Sequence, residues 1–203
     1  MAAVQTSGTR ARISARLDRR AGGLKRNVEP FRQGELDSLC GLYAVLNALN
    51  ALCAEVDNDV GEALFGVMVQ ALSQAADRPL AALSCGMSQD LVVAMLDVAC
   101  RELERLLDIR IRHRAFPAFD EPPKLGILWD RLQGEISRSQ VAIVGISGVH
   151  EHWTVAYAVS PKVIRLADSQ DWRVLMRDRC TTRPSKQRVR LDPAAIILVR
   201  RKR

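Results

Sequence analysis

"RQGELDSLCGLYAVLNALN", residues 32–50, sets a glutamine, an acidic turn and a cysteine directly ahead of a long apolar run. Gly34, Asp37 and Ser38 have the chemistry of a loop closing on a helix N-cap, so a helix is expected from about Leu39 to Ala54. Cys40 then falls in the first turn, where backbone N–H groups and the positive end of the helix dipole are donors for a thiolate and for a developing oxyanion. Gln33, seven residues earlier on the entering loop, can fold back as a side-chain donor to the same oxyanion. The ordinary alternative is that Cys40 is a small buried hydrophobe, as most unpaired cysteines are. Cys53, Cys85, Cys100 and Cys180 have no companion glutamine loop and are assigned to core or inert surface.

Two further helical runs follow, "GEALFGVMVQALSQAA" and "SQDLVVAMLDVACRELERLL", the second with Ser88 as its cap and a charged outer face. From Asp108 the period changes. "IRIRHRAF" alternates apolar and basic residues as an exposed edge strand does. A short helix is expected in "PPKLGILWDRLQGEI", and then strand-length runs: "QVAIVGIS", "HWTVAYAV", "KVIRLADS", "WRVLM" and "AAIILVRR". Helices first and strands afterwards predict an α+β fold with a largely antiparallel sheet packed against the helical half.

A nucleophilic thiol needs a base, and the chain has three histidines. His113 sits in the basic alternation. His150 and His152 flank Glu151 in "GVHEHWTV"; His152 opens the apolar strand, whose backbone holds an imidazole in place, whereas His150 belongs to the glycine-containing loop. His152 is therefore the favoured base. In "KVIRLADS" the two-residue period puts Ile164, Leu166 and Asp168 on one face, so a carboxylate ends an otherwise apolar row one strand after His152. Antiparallel neighbours would bring Asp168 beside the imidazole; its common alternative is simply to start the "DSQD" turn. Trp153 and Trp172 are core or half-buried aromatics, one of which would shield a His–Asp bond from water.

The net charge of +7 is concentrated at one end. Residues 1–27 hold seven Arg or Lys against Asp18, a net of +6, and leave +1 for residues 28–203. The first segment reads as a basic, solvated arm, with a nucleic-acid or acidic-partner contact as its functional use, and the remainder as one domain. A local basic run also spans Arg183 to Arg190, and the chain ends "RRKR". No run reaches the roughly 18 apolar residues of a membrane span, and no signal-peptide core opens the chain, so a cytoplasmic location without membrane contact is expected; an Arg-rich arm also fits organelle targeting or specialised secretion. Five scattered cysteines without a C-x-x-C pair disfavour a disulfide framework or a zinc site, and no cofactor is expected.

Taken together, "Q…DSLCGLYAVLNAL", "HWTV" and "IRLADS" resemble the papain-like cysteine peptidases, especially the bacterial branch typified by bacteriocin-processing (double-glycine leader) peptidases. The resemblance covers about residues 31–170, with a Gln33 to Cys40 interval one residue longer than is usual there. It implies a helical part whose central helix begins at the cysteine, packed on an antiparallel sheet carrying histidine and acid. It also implies Cys40 as nucleophile, His152 as base and acid, Asp168 as its orienter and Gln33 as oxyanion donor. The expected activity is cleavage of a peptide or isopeptide bond in a protein or peptide substrate. The same machinery with another acceptor gives a deamidase, transglutaminase or acyltransferase. From a different class, the alternative is a non-catalytic papain-like module binding nucleic acid through its basic tails.

Overall fold

The computed structural model describes residues 28–34, 39–75, 86–137 and 139–202. The arm at 1–27, the expected caps Asp37 and Ser38, and Cys85 lie outside the described residues. Helix α1 (Cys40–Leu52) is an Ala- and Leu-rich run in which every residue but Tyr43 is buried. A helix that is apolar all round must be covered all round, and α1 is the central rod of the helical layer. Helices α2 (Asn58–Ala75) and α3 (Gln89–Leu107) flank it. Ser88 caps α3, its hydroxyl accepting the Leu91 N–H at 3.3 Å, and Asp108 ends it in the left-handed conformation. Between those ends Val92, Met95, Leu96, Ala99 and Leu103 form the buried stripe expected of a 3.6-residue period.

The second half supplies β1 (Ile111–Ala115), helix α4 (Leu125–Glu135), β2 (Gln140–Gly148), β3 (His152–Val159), β4 (Val163–Ala167), β5 (Val174–Met176), β6 (Cys180–Thr181) and β7 (Val189–Arg201). The strand order is β1-β7-β2-β3-β4-β5, antiparallel throughout, with β6 joining β7 as a short parallel addition. The expected α+β organisation is present, and β1 lies at an edge as its basic alternation suggested.

The sheet is covered on both faces, which a helical half packed on one side did not anticipate. Val141, Ile143, Trp153, Val155, Ala167, Ile197 and Val199 pack with α1 and its neighbours. Ala142, Val144, Ala156, Ile164, Leu166 and Leu198 form a second core with Leu128, Trp129 and Leu132 of α4. Two buried faces explain why "VAIVGI" and "AIILV" read as continuous apolar runs. Strand β7 begins five residues earlier than "AAIILVRR", with Pro193 inside it. That proline falls where the β2–β7 register slips between Val144 and Ile146, a stretch that asks for no ladder N–H.

Candidate active site

Cys40 is the first residue of α1, 8% exposed, after Leu39, which contributes no side-chain cap. Its neighbour is glycine, and a Cβ on Gly41 would lie 2.8 Å from Met87 Sδ and 2.9 Å from Val92 Cγ2, close enough that those side chains would have to shift. The missing side chain lets the start of α1 press against the start of α3.

His152 opens β3 opposite Ile146 of β2 and is buried. Its Nε2 lies 2.8 Å from Asp168 Oδ2, and both side chains are almost fully enclosed. That pairing leaves Nδ1 for the thiol, and Cys40 is within hydrogen-bonding reach of the ring. Burial works against a charged imidazole, but the hydrogen bonds and charges of Asp168 and Cys40 outweigh it, and the His152 pKa is pushed up to about 9. For Asp168 the balance is similar: burial favours the neutral acid, while His152, the Thr154 hydroxyl and the Gln170 N–H hold its carboxyl below the usual range. Thr154 Oγ1 is buried without a hydrogen bond of good geometry, so its share is small beside that of His152.

The other oxygen of Asp168 makes the turn. Oδ1 accepts the N–H groups of Gln170 at 2.8 Å and Trp172 at 3.2 Å. Trp172, half-buried, stands 6.1 Å from the His152 ring and 5.3 Å from that of exposed His150. Trp153 belongs instead to the helical core, its indole N–H donating to the Met87 carbonyl at 2.8 Å. His113 is paired elsewhere, with Asp97 of α3 at 2.8 Å.

Gln33 reaches the same place by a different device. Residues 28–34 form a strap along α1, held by two buried asparagines that sequence reading passed over. Asn47 brackets Phe31, accepting its N–H at 2.7 Å and donating to its carbonyl at 3.1 Å, and Asn50 donates to the Glu29 carbonyl at 2.7 Å. On the other side, the Gln33 N–H donates to the Ser169 carbonyl at 3.1 Å. The Ser169 hydroxyl donates to Gln33 Oε1 at 3.4 Å, an orientation that assigns the amide donors to Nε2. Phe31 lies over Gly61, where a Cβ would sit 2.5 Å from the ring. The one available signal was a pair of amides three residues apart in an otherwise apolar helix.

Cys40, His152 and Gln33 together line a cleft of about 530 Å³. Met87, Ile146 and Trp153 supply apolar wall, Gly145 a flat stretch, and Glu151 and Asp192 acidic rim. Gly145 cannot carry a side chain cheaply, since its Cβ would lie 3.0 Å from Ala195 and from the Trp153 ring. Among the described residues no group of three or more His, Cys, Asp or Glu could hold a metal ion. The other described cysteines lack this setting. Burial, reinforced by Asp97 and Cys53, pushes the Cys100 thiol up to about 12; burial and Asp178 push Cys180 up to about 11; Cys53 has no exposed surface. The arrangement therefore aligns a thiol and an imidazole in the wall of an open cleft, with a buried carboxylate behind the ring. Compared with known proteins, the chain matches no family model and no curated relative.

Proposed function

We propose that the protein is a papain-like thiol hydrolase that cleaves a peptide or isopeptide bond through a Cys40 acyl-enzyme. The observation that carries this reading is the line from Cys40, at the start of α1, through His152 to Asp168 Oδ2, 2.8 Å from Nε2. A central helix beginning at the thiol, against an antiparallel sheet whose consecutive strands carry the imidazole and the acid, supports the papain-like assignment.

In the proposed reaction the Cys40 proton is held on His152 Nδ1, and the resulting thiolate Sγ bonds to the substrate carbonyl carbon. The N–H of Cys40 and the side-chain amide of Gln33 receive the oxyanion. Collapse of the tetrahedral intermediate breaks the C–N bond, and His152 protonates the leaving amine. Water then attacks the thioester with His152 taking its proton, and the carboxylate product leaves. Asp168 stays anionic throughout, holding the ring orientation and its positive charge. With ammonia as leaving group the same steps give a deamidase, and with an amine in place of water a transglutaminase or acyltransferase.

A limiting amount of iodoacetamide should label Cys40 ahead of Cys53, Cys100 and Cys180 in the folded protein, read by peptide mass mapping. Peptide-library hydrolysis should vanish in Cys40→Ala. Uniform labelling across the cysteines, or hydrolysis surviving in Cys40→Ala, would sink the proposal.

A further inference from the structure

The basic alternation at residues 109–116 and the basic C-terminal run play no part in the cleft, and both arrive at one corner of the sheet. β1 is an outermost strand whose sheet neighbour is β7. The Lys202 N–H donates to the Arg110 carbonyl at 2.8 Å and the Phe116 N–H to the Ile196 carbonyl at 2.9 Å. Even-numbered residues of β1 thus exchange bonds with β7. By the two-residue alternation of an antiparallel ladder, the N–H and C=O groups of Ile111, His113 and Ala115 point outward to the open edge.

The side chains sort by face. Ile111 and His113 turn to the helical layer, His113 against Asp97. Arg114 turns the other way, bridging to Glu135 of α4 at 2.7 Å. Arg112 shares that second face and stands directly opposite Arg200 of β7. Both are exposed, and neither has an ion-pair partner among the described residues. On the next rung Lys202 lies across from Arg110. Like charges placed directly opposite weaken a strand pair. Protecting an edge against aggregation needs charge on the outer strand alone, so the matching cation on β7 asks for another reason.

We propose that the β1 edge is a docking site for an acidic peptide segment in extended conformation. The segment adds to the sheet as a further strand on Ile111, His113 and Ala115, with carboxylates at alternate positions facing Arg112 and Arg200. Strand addition takes its affinity from main-chain bonds and its selectivity from every second side chain. A second copy of the same edge is a poor occupant, because it brings Arg112 against arginine. A nucleic acid is poorer too: Phe116, the aromatic at this edge, is 5% exposed and offers no stacking surface. The edge is remote from Cys40. Arg200 pairs with Gln140 at one end of β2, while His152 pairs with Ile146 near the other, about 20 Å away along the strand. The docking site therefore stands whether or not Cys40 is a nucleophile.

The experiment uses the full chain, isotope-labelled, with a synthetic peptide alternating Glu and Val, its Gln-for-Glu counterpart, and a single-stranded oligonucleotide. The acidic peptide should slow amide exchange at Ile111, His113 and Ala115 and outcompete the Gln peptide. Arg112→Glu and Arg200→Glu should each weaken it by about ten-fold or more; Arg200→Gln should do so to a smaller extent. Ala115→Pro removes an outward N–H without touching the β1–β7 ladder, so it should fold and also lose the peptide. Residues 1–27 are identical in all variants, so their charge cancels in the comparison. Unchanged exchange at the three amides, or equal peptide affinity in the folded variants, overturns the proposal. So does an oligonucleotide that binds more tightly than the peptide and is indifferent to Ala115→Pro.

Discussion

At Asp168 the everyday use of an aspartate after a strand and the proposed catalytic use fall on different oxygens of one carboxylate. Oδ1 takes two backbone N–H groups of the turn and Oδ2 takes the imidazole. All three partners are donors, so the position needs two acceptors, and an amide has one. Asp168→Asn must therefore present its NH₂ either to the turn or to His152. We expect this variant to lose roughly two to four orders of magnitude in turnover, whereas His150→Ala, whose ring touches Trp172 from the solvent side, should change it little. In the proposed reaction the ring must carry a proton for the leaving amine, so the wild-type rate should fall as pH rises through about 9. In Asp168→Asn that alkaline limb should move towards neutral pH, because the cation has lost its hydrogen-bonded counter-charge. A limb that stays in place would mean that another group orients the ring.

At the scale of elements, the strap and α1 form a unit. Asn47→Ala leaves the Phe31 N–H and carbonyl without their partner inside the protein, a cost of about 1–3 kcal/mol readable by urea unfolding. Because Gln33 follows two residues later, turnover should fall beyond what the lost stability explains; Gly61→Val, which displaces Phe31, should mimic it. If Asn47→Ala destabilises the fold but leaves turnover per folded molecule unchanged, Gln33 is not an oxyanion donor. The same unit marks the limit of sequence reading. Helix α1, the stripe of α3 and the alternation of β1 were legible because burial repeats at a fixed period. Cys40, His152 and Asp168 were legible because each stands where an element begins or ends. The strap was not, since a side chain bonding to backbone 16 residues away leaves no periodic trace. Strand β6 is too short to have one, and Ser169 and Thr154 are ordinary residues until β3 and β4 are side by side.

For the whole molecule, the His152–Asp168 pair ties stability to pH. His152 has its pKa raised from 6.5 to about 9, so its contribution is complete below about pH 6.5 and lost as pH climbs through about 9. Asp168 has its pKa lowered, so its contribution is present above the ordinary carboxylate range and lost only as pH falls below it. The thermal midpoint of the wild type should therefore exceed that of Asp168→Asn most between about pH 4 and 6.5, and the gap should shrink from pH 6.5 to 9. Calorimetry of the two proteins across that range tests it. A gap that widens towards alkaline pH would show that the pair is not an ion pair in the folded state.

The strap has a consequence for the order in which the site comes together. Its bonds to α1 span 16 and 21 residues, while its side-chain bond to Ser169 spans 136. Closing the short loops is the easier step, so on a growing chain Phe31 can settle on Asn47 as soon as α1 exists. Gln33 then waits beside Cys40 with half its setting missing. His152, Asp168 and Ser169 lie far downstream of α1, and until they are made the thiol has neither imidazole nor carboxylate beside it. The order of synthesis thus leaves the proposed nucleophile idle beside Gln33 until β3 and β4 have been made.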